Sequence, residues 1–272
     1  MWTATSSAPP LASSTGDSAT PAEAPTLLAQ LTDLHIEVGP GDGAAARATA
    51  AAVSAVRALS PAPHAVLVTG DVAESGAARE YERARELLAP LGLPVHVLPG
   101  NHDDHDALAA HLGWEGVHGY AVKVGRIRVI ALDSTRPGFD DGRLPTERLE
   151  WLESELAADL TPTVLAMHHP PLLTGIESLD RLGIAAAERV ALRSVIAASP
   201  HVLRVVAGHV HRAAFGTLGS CGVVAAPAAH LEARLEIGGT ILDLEEASPG
   251  FALHVTLVDA CTTHVQTVTT AA

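Results

Sequence analysis

Five short stretches concentrate the side chains able to bind a metal ion or move a proton. They are Asp33-Leu34-His35, Gly70-Asp71, Gly100-Asn101-His102-Asp103, His168-His169-Pro170-Pro171 and Gly208-His209-Val210-His211. Four carboxylates or amides and six imidazoles, with no cysteine among them, make a mixed nitrogen and oxygen donor set. That set suits first-row ions such as Mn, Fe, Zn or Co. So many donors exceed the needs of one ion. They suit two ions bridged by one carboxylate, an arrangement that activates water for in-line attack on phosphorus. Each stretch alone has an ordinary reading. Gly-Asp is a common turn, His-His-Pro-Pro a proline-stiffened loop, and Gly-His-Val-His a strand that alternates its histidines to one face. Chance does not explain why all five occur at the same kind of place.

That place is the end of an apolar run. Runs at 27–31, 65–69, 94–98, 163–167 and 202–207 read as buried strands, and each leads directly into one of the stretches. The C-terminal edge of a largely parallel sheet is where binding sites gather. Glycine precedes the polar group in three of the five and lets the backbone approach a ligand closely. Helical spacing of apolar residues predicts helices over 44–59, 76–91, 104–112, 145–158 and 185–198. Residues 120–124 and 127–132 flank Gly125-Arg126 as a hairpin. After residue 207 only strand-like runs follow, at 213–218, 222–226, 233–237, 240–244, 252–258 and 263–268. This order predicts an α/β fold in four layers, α/β/β/α, a sandwich of two mixed sheets flanked by helices. A closed eightfold barrel would need helices to the end. The segment from Thr240 onward either forms a dimer edge, giving a homodimer, or completes the second sheet.

The bulk numbers narrow the function. A chain of 272 residues fits one large domain, here over 26–272, after a Ser-, Ala- and Pro-rich flexible tail over 1–25. Hydrophobic residues make up 47% but aromatics only 3%, so Ala, Val and Leu must fill the core. With 17 Lys and Arg against 31 Asp and Glu, the formal charge is −14. That opposes general binding to a nucleic-acid polymer or an anionic membrane. No apolar run is long enough to span a bilayer. The start lacks a secretory pattern, which favours the cytoplasm. Cys221 and Cys261 are read as two small buried thiols rather than a disulfide framework.

Taken together, the five blocks resemble those of the calcineurin-like metallophosphoesterase superfamily, over roughly residues 27–244. The stretches MHHPPL and GHVHR, with GRLPTERLEWLESEL before them, are most similar to the bacterial class III cyclic-nucleotide phosphodiesterases and glycerophosphodiesterases. The resemblance implies one metal held by Asp33, His35, Asp71 and His211. It implies a second held by Asp71, Asn101, His168 and His209, with Fe and Mn the favoured ions. His168 is preferred to His169 because the family ligand directly ends the strand; His169 is then a neighbour. His102 would protonate the leaving oxygen or stabilise developing charge, with Asp103 supporting its ring. His230 lies where relatives carry a histidine near the substrate, although Ala229 and Leu231 depart from the usual Ser-x-His-Gln pattern. The implied reaction is hydrolysis of a phosphodiester such as 3',5'-cyclic AMP by a metal-bound hydroxide. The alternatives are a glycerophosphodiesterase, a phosphomonoesterase or nucleotidase on the same site, and a non-catalytic metal-bound scaffold. Arg136, Arg143 and Arg212 are further candidates for contact with phosphate or ribose, and the remaining histidines are read as structural.

Overall fold

The computed structural model describes residues 24–39, 43–257 and 259–269. The tail expected over 1–25 lies outside them as far as residue 23. Thirteen strands are named among the described residues, and eleven of them form two mixed sheets. The first sheet is built on β1 (Thr26–Leu31), β2 (Ala65–Thr69) and β3 (Val95–Leu98), all parallel. Antiparallel β12 (Gly250–Thr256) and β13 (Cys261–Thr267) extend it beyond β1, in the order β13-β12-β1-β2-β3. The second sheet is built on β5 (Ile127–Leu132), β6 (Thr163–Ala166), β7 (Val202–Ala207) and β9 (Cys221–Ala225), also parallel. Its edges are antiparallel β4 (Gly119–Val124) and β8 (Ala214–Leu218).

Strand alternation builds the layers. On β5, Val129 and Ala131 pack toward the first sheet with Val68, Val97 and Val206. Ile130 and Leu132 point the other way and pack with Leu165 and Met167. Successive strand residues face opposite sides, so a strand covered on both faces must be apolar throughout. The outer layer on the second sheet is α4 (Thr146–Ala158) and α6 (Ala186–Ala197). They contribute Leu149, Leu152 and Leu156, and Leu192, Val195 and Ile196. α1 (Ala44–Arg57) and α2 (Ala78–Leu88) pack on the first sheet through Val53, Val56, Tyr81 and Ala84. α3 (His105–Leu112) lies beside α2, with the Asp104 carboxylate accepting from the Ala107 N–H as its N-cap. The four-layer α/β/β/α expectation therefore holds.

Three local expectations change. The last two strands complete the first sheet rather than the second, because β12 pairs along β1 from Thr26↔Thr256 to Gln30↔Ala252. The strands expected at 233–237 and 240–244 are absent. In their place a two-stranded ribbon joins β10 (Leu231–Ala233) to β11 (Leu244–Glu246). Gly238 breaks the run at φ 74°, and Leu235, Ile237 and Ile241 are exposed, so alternation there has no layer to bury against. A one-turn helix, α5 (Glu177–Asp180), forms where none was expected. Cys221 and Cys261 are free, buried thiols. Among the described residues no helix is long and apolar enough to cross a membrane.

Candidate metal centre

The pair of β1 and β2 does not separate where the two strands end. Asp33 donates its N–H to the Gly70 carbonyl, His35 to Asp71 and Ile36 to Val72, so 33–36 and 70–74 continue side by side. This brings the first two stretches together. β7 belongs to the other sheet, yet the His209 N–H reaches back across 176 residues of chain to the Asp33 carboxylate, at 3.0 and 3.2 Å. Asp33, His35, Asp71, His209 and His211 all have positive φ, between 46° and 70°, and they are the only non-glycine residues with it among those described. That conformation is costly for a side-chain-bearing residue and clusters at functional sites. All five were singled out from sequence as candidate ligands.

The side chains converge as two groups sharing one carboxylate. In the first, donor atoms of Asp33, His35, Asp71 and His211 all lie within 4.8 Å of one another. His35 Nε2 is 3.1 Å from His211 Nε2 and 3.6 Å from Asp71 Oδ2. In the second, Asn101 Oδ1 is 3.1 Å from both His168 Nε2 and His209 Nδ1, and His168 Nε2 is 3.3 Å from Asp71 Oδ2. Asp71 thus stands between the groups. Imidazole nitrogens, carboxylate oxygens and the Asn101 amide oxygen face one another in a buried space. Nδ1 of His211 and Nε2 of His209 are buried without partners. This donor set fits two metal ions.

Hydrogen bonds decide which nitrogens are available. The His168 Nδ1–H donates to the Thr69 carbonyl at 2.8 Å, leaving Nε2 turned to Asn101 and Asp71. His169 lies close enough to group with His168 and His209. Both its ring nitrogens are engaged, however, Nδ1 with Ser134 Oγ at 3.0 Å and Nε2 with the Asp140 carbonyl at 3.2 Å. Ligand availability therefore favours His168. The two rings also differ in proton affinity. Burial, and then the His168 charge, push His169 down to about 3. Burial would lower His168 too, but the Asp71 carboxylate outweighs it and raises the ring to about 9. Burial alone would raise Asp71, and the imidazoles of His168, His35 and His102 hold it well below the usual range instead.

His102 stands at the rim, its ring 4.7 Å from that of His35. Its Nδ1–H donates to the Glu74 carbonyl at 2.7 Å, and its backbone N–H donates to Asp71 Oδ1 at 2.9 Å. Asp103 does not take the supporting place expected for it. Its carboxylate accepts from the N–H groups of Val72, Ala73 and Gly100 and from the Tyr81 hydroxyl, which ties the two loops together. Burial and then the Asp71 charge raise it to about 6. His230 lies beside the first group: after burial, His35 and His211 are what push it down, to about 4, and its Nδ1 is buried without a partner. Of the three candidate arginines, only Arg136 lines the cleft of about 520 Å³ that opens from Asn101 and His102. Arg143 is paired with Glu188, and Arg212 with Glu232 and the Ala233 carbonyl. His105, read as structural, lines that cleft with Asp133 and Arg148. Sequence reading passed over Glu74, whose only local signal is an acid three residues past Asp71.

Two glycines make the convergence sterically feasible. A Cβ on Gly100 would sit 2.1 Å from Asp71 Oδ1 and 2.3 Å from the Asp71 nitrogen. One on Gly208 would sit 1.9 Å from Thr32 Oγ1 and 2.9 Å from Asp33 Oδ2. Any side chain at either position would displace a candidate ligand.

Comparison with known proteins identifies the family. Residues 26–213 match the family profile described as calcineurin-like phosphoesterase. A Synechococcus protein named probable cyclic nucleotide phosphodiesterase is 34% identical over 224 residues, covering 80% of this chain and 87% of its own. The 3',5'-cyclic adenosine monophosphate phosphodiesterase CpdA of Escherichia coli is 32% identical, covering 70% of this chain and 71% of its own. The glycerophosphodiester phosphodiesterase GpdQ of Enterobacter lignolyticus is 32% identical, covering 68% and 70%. Among solved structures, a dimetal phosphatase from Danio rerio shares the fold, with a TM-score of 0.66, 16% identity and coverage of 90% and 96%.

Proposed function

The chain belongs to the calcineurin-like phosphoesterase family, and from that premise we propose that it hydrolyses a 3',5'-cyclic nucleotide with two bound metal ions. In this reading Asp33, His35, Asp71 and His211 hold one ion, and Asp71, Asn101, His168 and His209 hold the other. The observation that carries it is the position of the Asp71 carboxylate, 3.6 Å from His35 Nε2 and 3.3 Å from His168 Nε2. Oxygen and imidazole donors without sulfur suit Fe and Mn, and also Zn and Co. Bound ions of this kind neutralise phosphoryl charge and acidify a water toward neutral pH.

The chain's own residues do the remaining work. His102 has Nδ1 committed to the Glu74 carbonyl, so Nε2 is the atom free to protonate the leaving oxygen. Asp71 accepts the His102 backbone N–H, which keeps that ring beside the centre. An in-line displacement places the leaving alcohol on the His102 side, and the cleft of about 520 Å³ begins there. That volume suits a nucleoside-sized group better than a small alcohol. The relatives named as cyclic-nucleotide phosphodiesterases support the same substrate class.

Elemental analysis of the purified chain should find two ions per chain. Activity should be highest on 3',5'-cyclic AMP, lower on a glycerophosphodiester, and lowest on an aryl phosphomonoester. Chelation should abolish it and added metal should restore it. A metal-free active protein, or faster turnover of the monoester, would refute the reading.

A further inference from the structure

Glu74 touches the first ligand group with its carboxylate and the proposed acid with its backbone carbonyl. Its carboxylate lies 2.7 Å from His35 Nδ1 and 4.0 Å from His102 Nδ1. Its carbonyl accepts from His102 Nδ1–H at 2.7 Å. A carboxylate accepts only, so His35 Nδ1 carries the proton and the lone pair falls on Nε2, the atom that faces Asp71 and His211. One residue therefore sets the tautomer and direction of both rings.

The segment that carries Glu74 is itself held firmly. Its N–H donates to the Ile36 carbonyl at 3.2 Å, extending the pairing of 33–36 with 70–74. Just beyond, the buried Glu80 accepts from the Ser75 N–H, the Ser75 hydroxyl and the Ala77 N–H. The backbone of 71–77 is thus anchored at both ends, and the Glu74 side chain projects from a fixed point. Among the described residues no carboxylate outside the ligand set bonds a ring nitrogen of His168 or His209, and the backbone carbonyl of Thr69 serves His168.

We propose that Glu74 is a positioning residue that tunes one metal site, the one built on His35, and leaves the other to the Thr69 carbonyl. The inference rests on the reading of His35 as a ligand. A carboxylate behind a ligating imidazole fixes its orientation and raises its basicity, and losing it typically costs about 10- to 100-fold in metal affinity. The two sites should therefore respond unequally to a change at Glu74.

The test is calorimetric titration of the metal-free full chain with Zn²⁺, alongside proton NMR of the imidazole N–H signals. The wild type should bind two ions. Glu74→Ala should weaken one of them about 10- to 100-fold, leave the other within a factor of about two, and lose the His35 Nδ1–H signal. Glu74→Gln, whose amide oxygen can still accept from Nδ1–H, should recover the signal and part of the affinity. Unchanged affinity in Glu74→Ala, or equal weakening of both ions, overturns the assignment while the two-metal reading stands. A wild type that binds no ion overturns both.

Discussion

His254 offers a quantitative test of how the sheets behind the centre are joined. It is buried on β12, with Nε2–H donating to Gln30 Oε1 at 2.9 Å and Nδ1 2.9 Å from Thr263 Oγ1 on β13. Gln30 in turn donates to Thr69 Oγ1 at 2.8 Å and across to the Ala207 carbonyl of the second sheet at 2.9 Å. Both ring nitrogens are used by the neutral form. Burial, and then the nearby Arg204 charge, push the ring from 6.5 down to about 3. At pH 5 the unfolded chain carries this proton and the folded chain does not. Stability from this group is complete above about pH 6.5 and falls as the pH drops from there toward 3. Between pH 7 and pH 5 the loss is about 2 kcal/mol. Urea unfolding of the metal-free protein at both pH values should show it. His254→Gln keeps an amide between Gln30 and Thr263 but cannot titrate, so its loss over the same interval should be smaller by about 2 kcal/mol. His169 and His230, lowered to about 3 and about 4, remain in both proteins and cancel in the difference. Equal losses in the two proteins would show that His254 is protonated in the fold, and the argument would fail.

Two substitutions at the centre should separate assembly from chemistry. Gly100→Ala places a methyl 2.1 Å from Asp71 Oδ1 and should destabilise the fold by about 1–3 kcal/mol while reducing bound metal below two ions per chain. Wild-type metal content and Tm would contradict the packing described. His102→Ala should keep both ions, measured by elemental analysis, yet lower kcat on 3',5'-cyclic AMP by about 10²- to 10⁴-fold. Loss of metal in that variant would instead make His102 a ligand.

The sequence was sufficient for the inventory and its polarity. Apolar runs longer than a turn, each ending in Asp, Asn or His, fixed which side chains stand at the C-terminal ends of β1, β2, β3, β6 and β7, because strand periodicity is a local property. The same local logic failed at 233–244, where apolar residues such as Ile237 and Ile241 have no layer to pack on and stay exposed. Tertiary structure alone decided the rest. Asp33 meets His209 only because the two sheets stack face to face. His168 is left available, while His169 is occupied, because of where Ser134 and Asp140 fall on another connection. Asp103 bridges two loops, and Glu74 reaches His35 because 70–74 runs beside 33–36 beyond the end of the sheet. Spacing along a chain sets the side on which a group emerges; only strand order and register set what it meets.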